Sequence, residues 1–182
     1  MQSKVILVLG KRGSGKTYFT KTVILKRIRR PIFIFDPLGE YPGTKLNLKQ
    51  IIAYIRKRKL PAIINFFSES DQEEEAFYRL IYKLGNCSLV MEEADIYTNP
   101  QYISPGLANL LKRGRHKNID MVFITRRPAE INRLVSAQAT TIISFFQNEP
   151  RDLQWLKIWA GQESIKVQNL QPYEYEIFGE QI

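Results

Sequence analysis

The stretch Gly10-Lys11-Arg12-Gly13-Ser14-Gly15-Lys16-Thr17 decides the fold. It is a complete G-x-x-x-x-G-K-[ST] pattern, set between a β-branched run (4–9) and a helical stretch (17–30), the strand–loop–helix context the pattern requires. Gly13 and Gly15 let the backbone curl, so that the amides of residues 14–17 point inward at a phosphate. The start of the following helix adds its positive dipole end. In that geometry Lys16 reaches the β- and γ-phosphates, and Thr17 offers its hydroxyl to Mg²⁺. The stretch therefore predicts a nucleoside triphosphate site, with Gly10, Gly13, Ser14, Gly15, Lys16 and Thr17 as binding residues and ATP with Mg²⁺ as the cofactors.

Outward from this loop, apolar runs of strand length alternate with helical stretches. Strands are expected at 31–35, 62–67, 88–91, 120–125, 140–146 and 173–178, and helices at 48–59, 70–84, 107–117, 129–137 and 149–160. Strands that are apolar throughout and separated by helices predict an α/β fold, a mostly parallel central sheet with helices on both faces. No repeat, low-complexity tract or Pro/Gly-rich linker divides the chain, so one domain is expected over 1–182.

The 182 residues are 44% hydrophobic and 25% charged, which argues against disorder and fibrous architecture. One cysteine, Cys87, excludes an internal disulfide, and a single histidine, His116, leaves no Cys/His zinc site. No apolar run approaches the roughly 18 residues that span a bilayer, so no membrane insertion and a cytoplasmic setting are expected. The formal net charge is +9 and it is uneven. Residues 1–60 hold 15 Lys and Arg against 2 Asp and Glu, whereas 61–182 hold 12 against 16. Two runs dominate, Lys26-Arg27-Ile28-Arg29-Arg30 and Arg56-Lys57-Arg58-Lys59. Either alone reads as a solvated helix end; the asymmetry of the whole chain points to a polyanionic partner, nucleic acid.

A triphosphate site needs an acid at the end of a neighbouring strand. Ser88-Leu89-Val90-Met91-Glu92-Glu93-Ala94-Asp95 supplies a pair. Glu92 is expected to hold Mg²⁺ through water, and Glu93 to polarise the attacking water as general base. A swap between the two, or a part for Asp95, stays open. Thr125, at the end of the next apolar strand, is the candidate γ-phosphate sensor. Arg115, and after it Arg113, is the candidate arginine finger, reaching the γ-phosphate of a neighbouring subunit in trans.

With these motifs in order, the sequence resembles the HerA–FtsK superfamily of DNA-pumping ATPases, nearest to its HerA-like viral genome-packaging members. Phe35-Asp36-Pro37-Leu38-Gly39-Glu40-Tyr41, Arg113-Gly114-Arg115-His116-Lys117 and Ile124-Thr125-Arg126-Arg127-Pro128 carry the resemblance beyond the phosphate loop and acid pair. It implies a RecA-like core with an extra strand between the two nucleotide-motif strands. It further implies a homo-oligomeric ring, commonly a hexamer, that translocates double-stranded DNA, with a capsid or portal component as a further partner. Where the family frequently has Gln in its Ser/Thr-Gln-Arg-Pro stretch, this chain has Arg126. Two other readings remain, a P-loop nucleotide kinase and a phage assembly or secretion ATPase with a protein cargo.

Overall fold

The computed structural model describes residues 3–181, so positions 1, 2 and 182 of the expected domain lie outside the described residues. The first strand, β1 (Val5–Leu9), is buried along its whole length. After the glycine loop comes one helical rod: α1 (Lys16–Phe19), a π-helical run (Thr20–Ile24) and α2 (Leu25–Arg27). Then follow β2 (Ile32–Phe35), β3 (Thr44–Leu46), α3 (Leu48–Arg56), β4 (Ile63–Phe66), α4 (Asp71–Leu84) and β5 (Cys87–Met91). A small hairpin, β6 (Thr98–Asn99) and β7 (Tyr102–Ile103), leads to α5 (Pro105–Arg113), β8 (Ile119–Thr125), α6 (Arg133–Gln138), β9 (Thr141–Ser144), α7 (Pro150–Ala160) and β10 (Glu176–Gly179).

The main sheet runs in the order β10-β9-β1-β8-β5-β2-β4-β3. Every pairing in it is parallel except that of β10 with β9. β8 therefore lies between β1 and β5, the extra-strand arrangement expected of a RecA-like core. Side chains alternate across the sheet. Val5, Leu7 and Leu9 join one core with residues of α3 to α7, including Ile51, Phe77, Leu107, Val135 and Leu156. Ile6 and Val8 join the other, which the rod of residues 16–27 covers through Phe19, Ile24 and Leu25.

Register sets the site. Leu9 is level with Thr125 of β8 and Ser144 of β9, and Met91 with Phe123. The loops leaving β1, β5 and β8 thus emerge side by side at the carboxyl edge, where parallel sheets bind ligands.

Several boundaries shift for local reasons. The first helix ends at Arg27 rather than 30, and Ile28 is extended; Pro31 disfavours helix at the residue before it. The helix expected at 107–117 starts earlier, with the Ser104 hydroxyl accepting from the Leu107 amide and Pro105 at its first position. Its last four residues tighten into a 3₁₀ turn (Gly114–Lys117). The expected 129–137 helix is a 3₁₀ turn (Pro128–Glu130) and α6, separated by extended Ile131 and capped by Asn132. The final strand begins at Glu176, because Tyr173 occupies a left-handed turn (φ +72°).

Candidate phosphate and water-activation site

The glycine loop leaves β1 at Gly10 and re-enters helix at Lys16. Gly15, with φ +111°, sits at the helix start, and Gly13 has φ +78°. A side chain on Gly15 would also meet Tyr173 Cδ1 at 2.9 Å, because Tyr173 packs over the loop and its amide donates to the Ser14 carbonyl at 2.9 Å. Gly13 faces open space. Lys16 curls over the loop, its ammonium donating to the carbonyls of Gly10 (2.7 Å) and Lys11 (2.9 Å). Burial pushes this ammonium down to about 8, against an opposing pull from Glu92. The Ser14 hydroxyl is buried without a partner. An open cradle, an unpartnered hydroxyl and a cation tethered to weak acceptors fit a polyphosphate group.

One cleft of about 680 Å³ collects Gly13, Gly15, Lys16, Thr17, Glu92, Glu93 and Thr125. Three motifs read separately from the sequence therefore share a wall. Glu92 is 5% exposed, and burial raises its carboxyl to about 7, opposed by the Tyr41 hydrogen bond and by Lys16. The phenol of Tyr41 donates to Glu92 Oε2. It is aimed there by Asp36, whose carboxylate accepts the amides of Glu40 (3.0 Å) and Tyr41 (2.7 Å). Glu93 adopts a left-handed backbone (φ +49°, ψ +55°), which costs about 1 kcal/mol for a residue with a Cβ. That turn presents its carboxylate to Arg126, 3.0 Å away.

Thr125 lies in the cleft but its hydroxyl is engaged. It donates to Asp95 Oδ1 at 2.8 Å and accepts the Arg127 amide at 3.1 Å. Asp95 thus ties down the end of β8. Among the described residues no cluster of three or more His, Cys, Asp or Glu side chains forms a metal cage. Thr17 and Glu92 flank the phosphate cradle as a divalent ion shared with phosphate and water would need.

Arg113 and Arg115 are exposed and precede β8, so they lie at the opposite end of the strand from Thr125. Seven strand residues separate the two ends by roughly 20 Å at about 3.3 Å per residue. Within this chain they do not meet the phosphate loop. Sequence reading missed the contacts of Tyr41 and Arg126. Both stand in quoted motifs, but their pairing with the two glutamates depends on the order of strands.

The family model for the central domain of the helicase HerA matches residues 1–166. The chain belongs to this family. Its fold is that of the P-loop ATPases with a RecA-like core. Among solved structures it is similar to the genome packaging NTPase B204 from Sulfolobus turreted icosahedral virus 2 in complex with AMPPCP. That likeness has 23% identity and a TM-score of 0.80, and covers 96% of this chain and 91% of that one. The DNA-packaging ATPase B204 from Sulfolobus turreted icosahedral virus is similar at 22% identity and TM-score 0.76, over 97% and 93% of the two chains. VirB4 of Thermoanaerobacter pseudethanolicus shares the fold at 13% identity and TM-score 0.59, over 97% and 89%. No protein among the curated sequences matches this family member. No helix among the described residues is long and apolar enough to cross a membrane.

Proposed function

We propose that this single RecA-like domain is a motor ATPase that translocates double-stranded DNA, of the kind that packages viral genomes, and that it acts as a ring, a hexamer, with ATP between subunits. The observation that carries the reading is the cleft in which Lys16 and Thr17 face two consecutive carboxylates at the end of β5. Membership of the HerA family, the fold shared with packaging NTPases and the basic N-terminal third support the DNA cargo. A nucleotide kinase, whose acceptor is an alcohol or phosphate, has no use for a water-activating second acid.

In this reading the loop amides, Lys16 and the Ser14 hydroxyl bind phosphates, and Thr17 and Glu92 hold Mg²⁺, which neutralises phosphate charge when bound. Glu93 accepts a proton from the attacking water. Thr125 serves the sensor position through Asp95 and the Arg127 amide. Arg115 or Arg113, too distant from its own cleft, supplies the finger to a neighbouring copy.

ATP hydrolysis measured with and without duplex DNA, with mass determined in the same buffer, tests this. Turnover stimulated by DNA in a multimer is expected. Lys16→Ala should abolish turnover, and Glu93→Gln should bind ATP yet lose roughly 10²- to 10⁴-fold in rate, the usual contribution of a positioned base. A monomer indifferent to DNA that phosphorylates nucleoside monophosphates would overturn it.

A further inference from the structure

The loops entering four of the parallel strands, with the helix ends that lead into them, gather Lys and Arg on the edge opposite the phosphate cleft. Lys26, Arg27, Arg29 and Arg30 precede β2, and Arg56 to Lys59 precede β4. Lys83 precedes β5, and Lys117 stands two residues before β8. These strands are neighbours in the order β8-β5-β2-β4. Hydrogen bonds stitch their entry loops into one surface. The Ile32 amide donates to the Ala62 carbonyl at 2.9 Å, the Ser88 amide to Pro31 at 3.0 Å and the Asn86 amide to Lys117 at 2.7 Å.

Two observations separate this rim from ordinary helix-end charge. Arg58, Lys59 and Arg30 lie beyond the ends of the helices, where complementing a dipole no longer explains them. The only acid in these four loops and the strand residues they enter is Asp120, buried and paired with Arg29. Among the described residues no carboxylate comes within ion-pair distance of Lys26, Arg27 or Arg56 to Lys59, all of them exposed. Unneutralised cations held this close repel one another, and a polyanion relieves that repulsion.

We infer that this rim is the surface by which the chain grips the phosphate backbone of duplex DNA, on the edge of the sheet remote from its own phosphate cleft. The inference rests on the DNA-motor reading and adds where DNA is held. Three strand spacings of about 4.8 Å set the outer loops roughly 14 Å apart, comparable to the ~12 Å major groove, so cations at both ends can meet phosphates flanking one groove. Such binding is sequence-independent and salt-sensitive. β8 joins the two edges, with Lys117 before its start and Thr125 at its end.

The test compares wild-type protein with Arg56→Ala/Lys57→Ala/Lys59→Ala and with Lys26→Ala/Arg27→Ala. Lys45→Ala/Lys49→Ala, on β3 and at the start of α3, is the control. Binding to a 30-base-pair duplex is followed across a salt series, alongside basal and DNA-stimulated hydrolysis and a thermal melt. The rim variants should melt and hydrolyse basally like wild type. Their log-affinity against log-salt slope should be shallower by roughly 0.9 for each phosphate that is no longer neutralised, and stimulation by DNA should fall at least fivefold. Rim variants stimulated and titrated like wild type, in a protein that DNA does stimulate, would overturn this surface and leave the motor reading standing. A wild-type ATPase indifferent to DNA would overturn both. Rim-dependent binding to vesicles with phosphatidylserine, which excess duplex does not displace, would assign the rim to a membrane instead.

Discussion

The Arg126 guanidinium lies 3.0 Å from the Glu93 carboxylate, so the side chain just after Thr125 holds the group proposed to activate water. The two side chains are 44% and 24% exposed, which limits the strength of the pair to about 1 kcal/mol. An arginine in this position competes with the attacking water for the carboxylate oxygen until it moves. Arg126→Gln, which removes the charge and keeps a polar side chain, is expected to raise DNA-independent hydrolysis by no more than about fivefold, the rate equivalent of 1 kcal/mol. Steady-state turnover without DNA measures this. A tenfold fall instead would mean that Arg126 contributes to the phosphate and that its approach to Glu93 is incidental.

Glu92 gives the nucleotide-free protein a pH-dependent stability. Burial raises its folded pKa to about 7, above the usual carboxylate value near 4.5. Between these values the folded state keeps a proton that the unfolded chain releases. Its contribution is complete below pH 4.5 and is lost as pH rises through 7. Glu92→Gln, which mimics the protonated form, should therefore gain stability over wild type as pH rises from 4.5 to 8, by about 1 to 3 kcal/mol. Tyr41→Phe removes a donor that favours the charged form, so its destabilisation should be larger at pH 8 than at pH 4.5. Urea melts at both pH values decide the matter. Parallel curves for wild type and Glu92→Gln would mean that the carboxyl is ionised throughout.

How much of this was legible in the sequence depended on range. The phosphate loop declares itself within eight residues, since left-handed glycines and a helix start are local demands. The buried strands, apolar end to end, were equally visible. β3 was not: three residues with only Leu46 buried carry no period, and its pairing with β4 is set by the loop that Asp36 folds. The hairpin of β6 and β7 is two residues a side and escapes for the same reason. The pairs Tyr41–Glu92 and Arg126–Glu93 join residues tens of positions apart. They follow from β8 and β2 flanking β5, an order no local pattern encodes. Thr125 ends an apolar run that the sequence marks, whereas its bond to Asp95 joins residues 30 apart that no local pattern pairs.

Gly15 should be intolerant of a methyl group for two separable reasons. Its φ of +111° is unfavourable for any residue with a Cβ, and Tyr173 Cδ1 would lie 2.9 Å from that atom. Gly15→Ala is expected to destabilise the protein by about 1 to 3 kcal/mol and to abolish ATP binding, because the loop amides turn away from the cradle. Removing the ring, in Gly15→Ala/Tyr173→Ala, should relieve the nearest contact but neither the backbone strain nor the approach of Tyr173 Cα at 3.2 Å, restoring stability only in part. Denaturant melts and nucleotide titration separate the two. Full recovery of binding in the double variant would mean that the dihedral demand at Gly15 is weak.

Asp120 joins the starts of three strands that sequence distance keeps apart. Its carboxylate accepts the Lys4 amide at 3.0 Å and the Arg29 amide at 3.2 Å, and it pairs with the Arg29 guanidinium. At 6% exposure it is held almost out of water, while the Arg29 side chain retains 21%. Removing one partner of such a pair leaves a poorly solvated charge and two amides without their acceptor. Asp120→Ala is expected to destabilise by about 3 kcal/mol, toward the lower end of the range for broken buried pairs because Arg29 keeps some access to water. The residue lies at the far end of β8 from Thr125, so ATP affinity of the folded variant should stay within twofold of wild type. Chemical denaturation and nucleotide titration read the two quantities independently. A destabilisation below 1 kcal/mol would show that water replaces the carboxylate at this edge, and that the entry loops of β1 and β2 are not held by it.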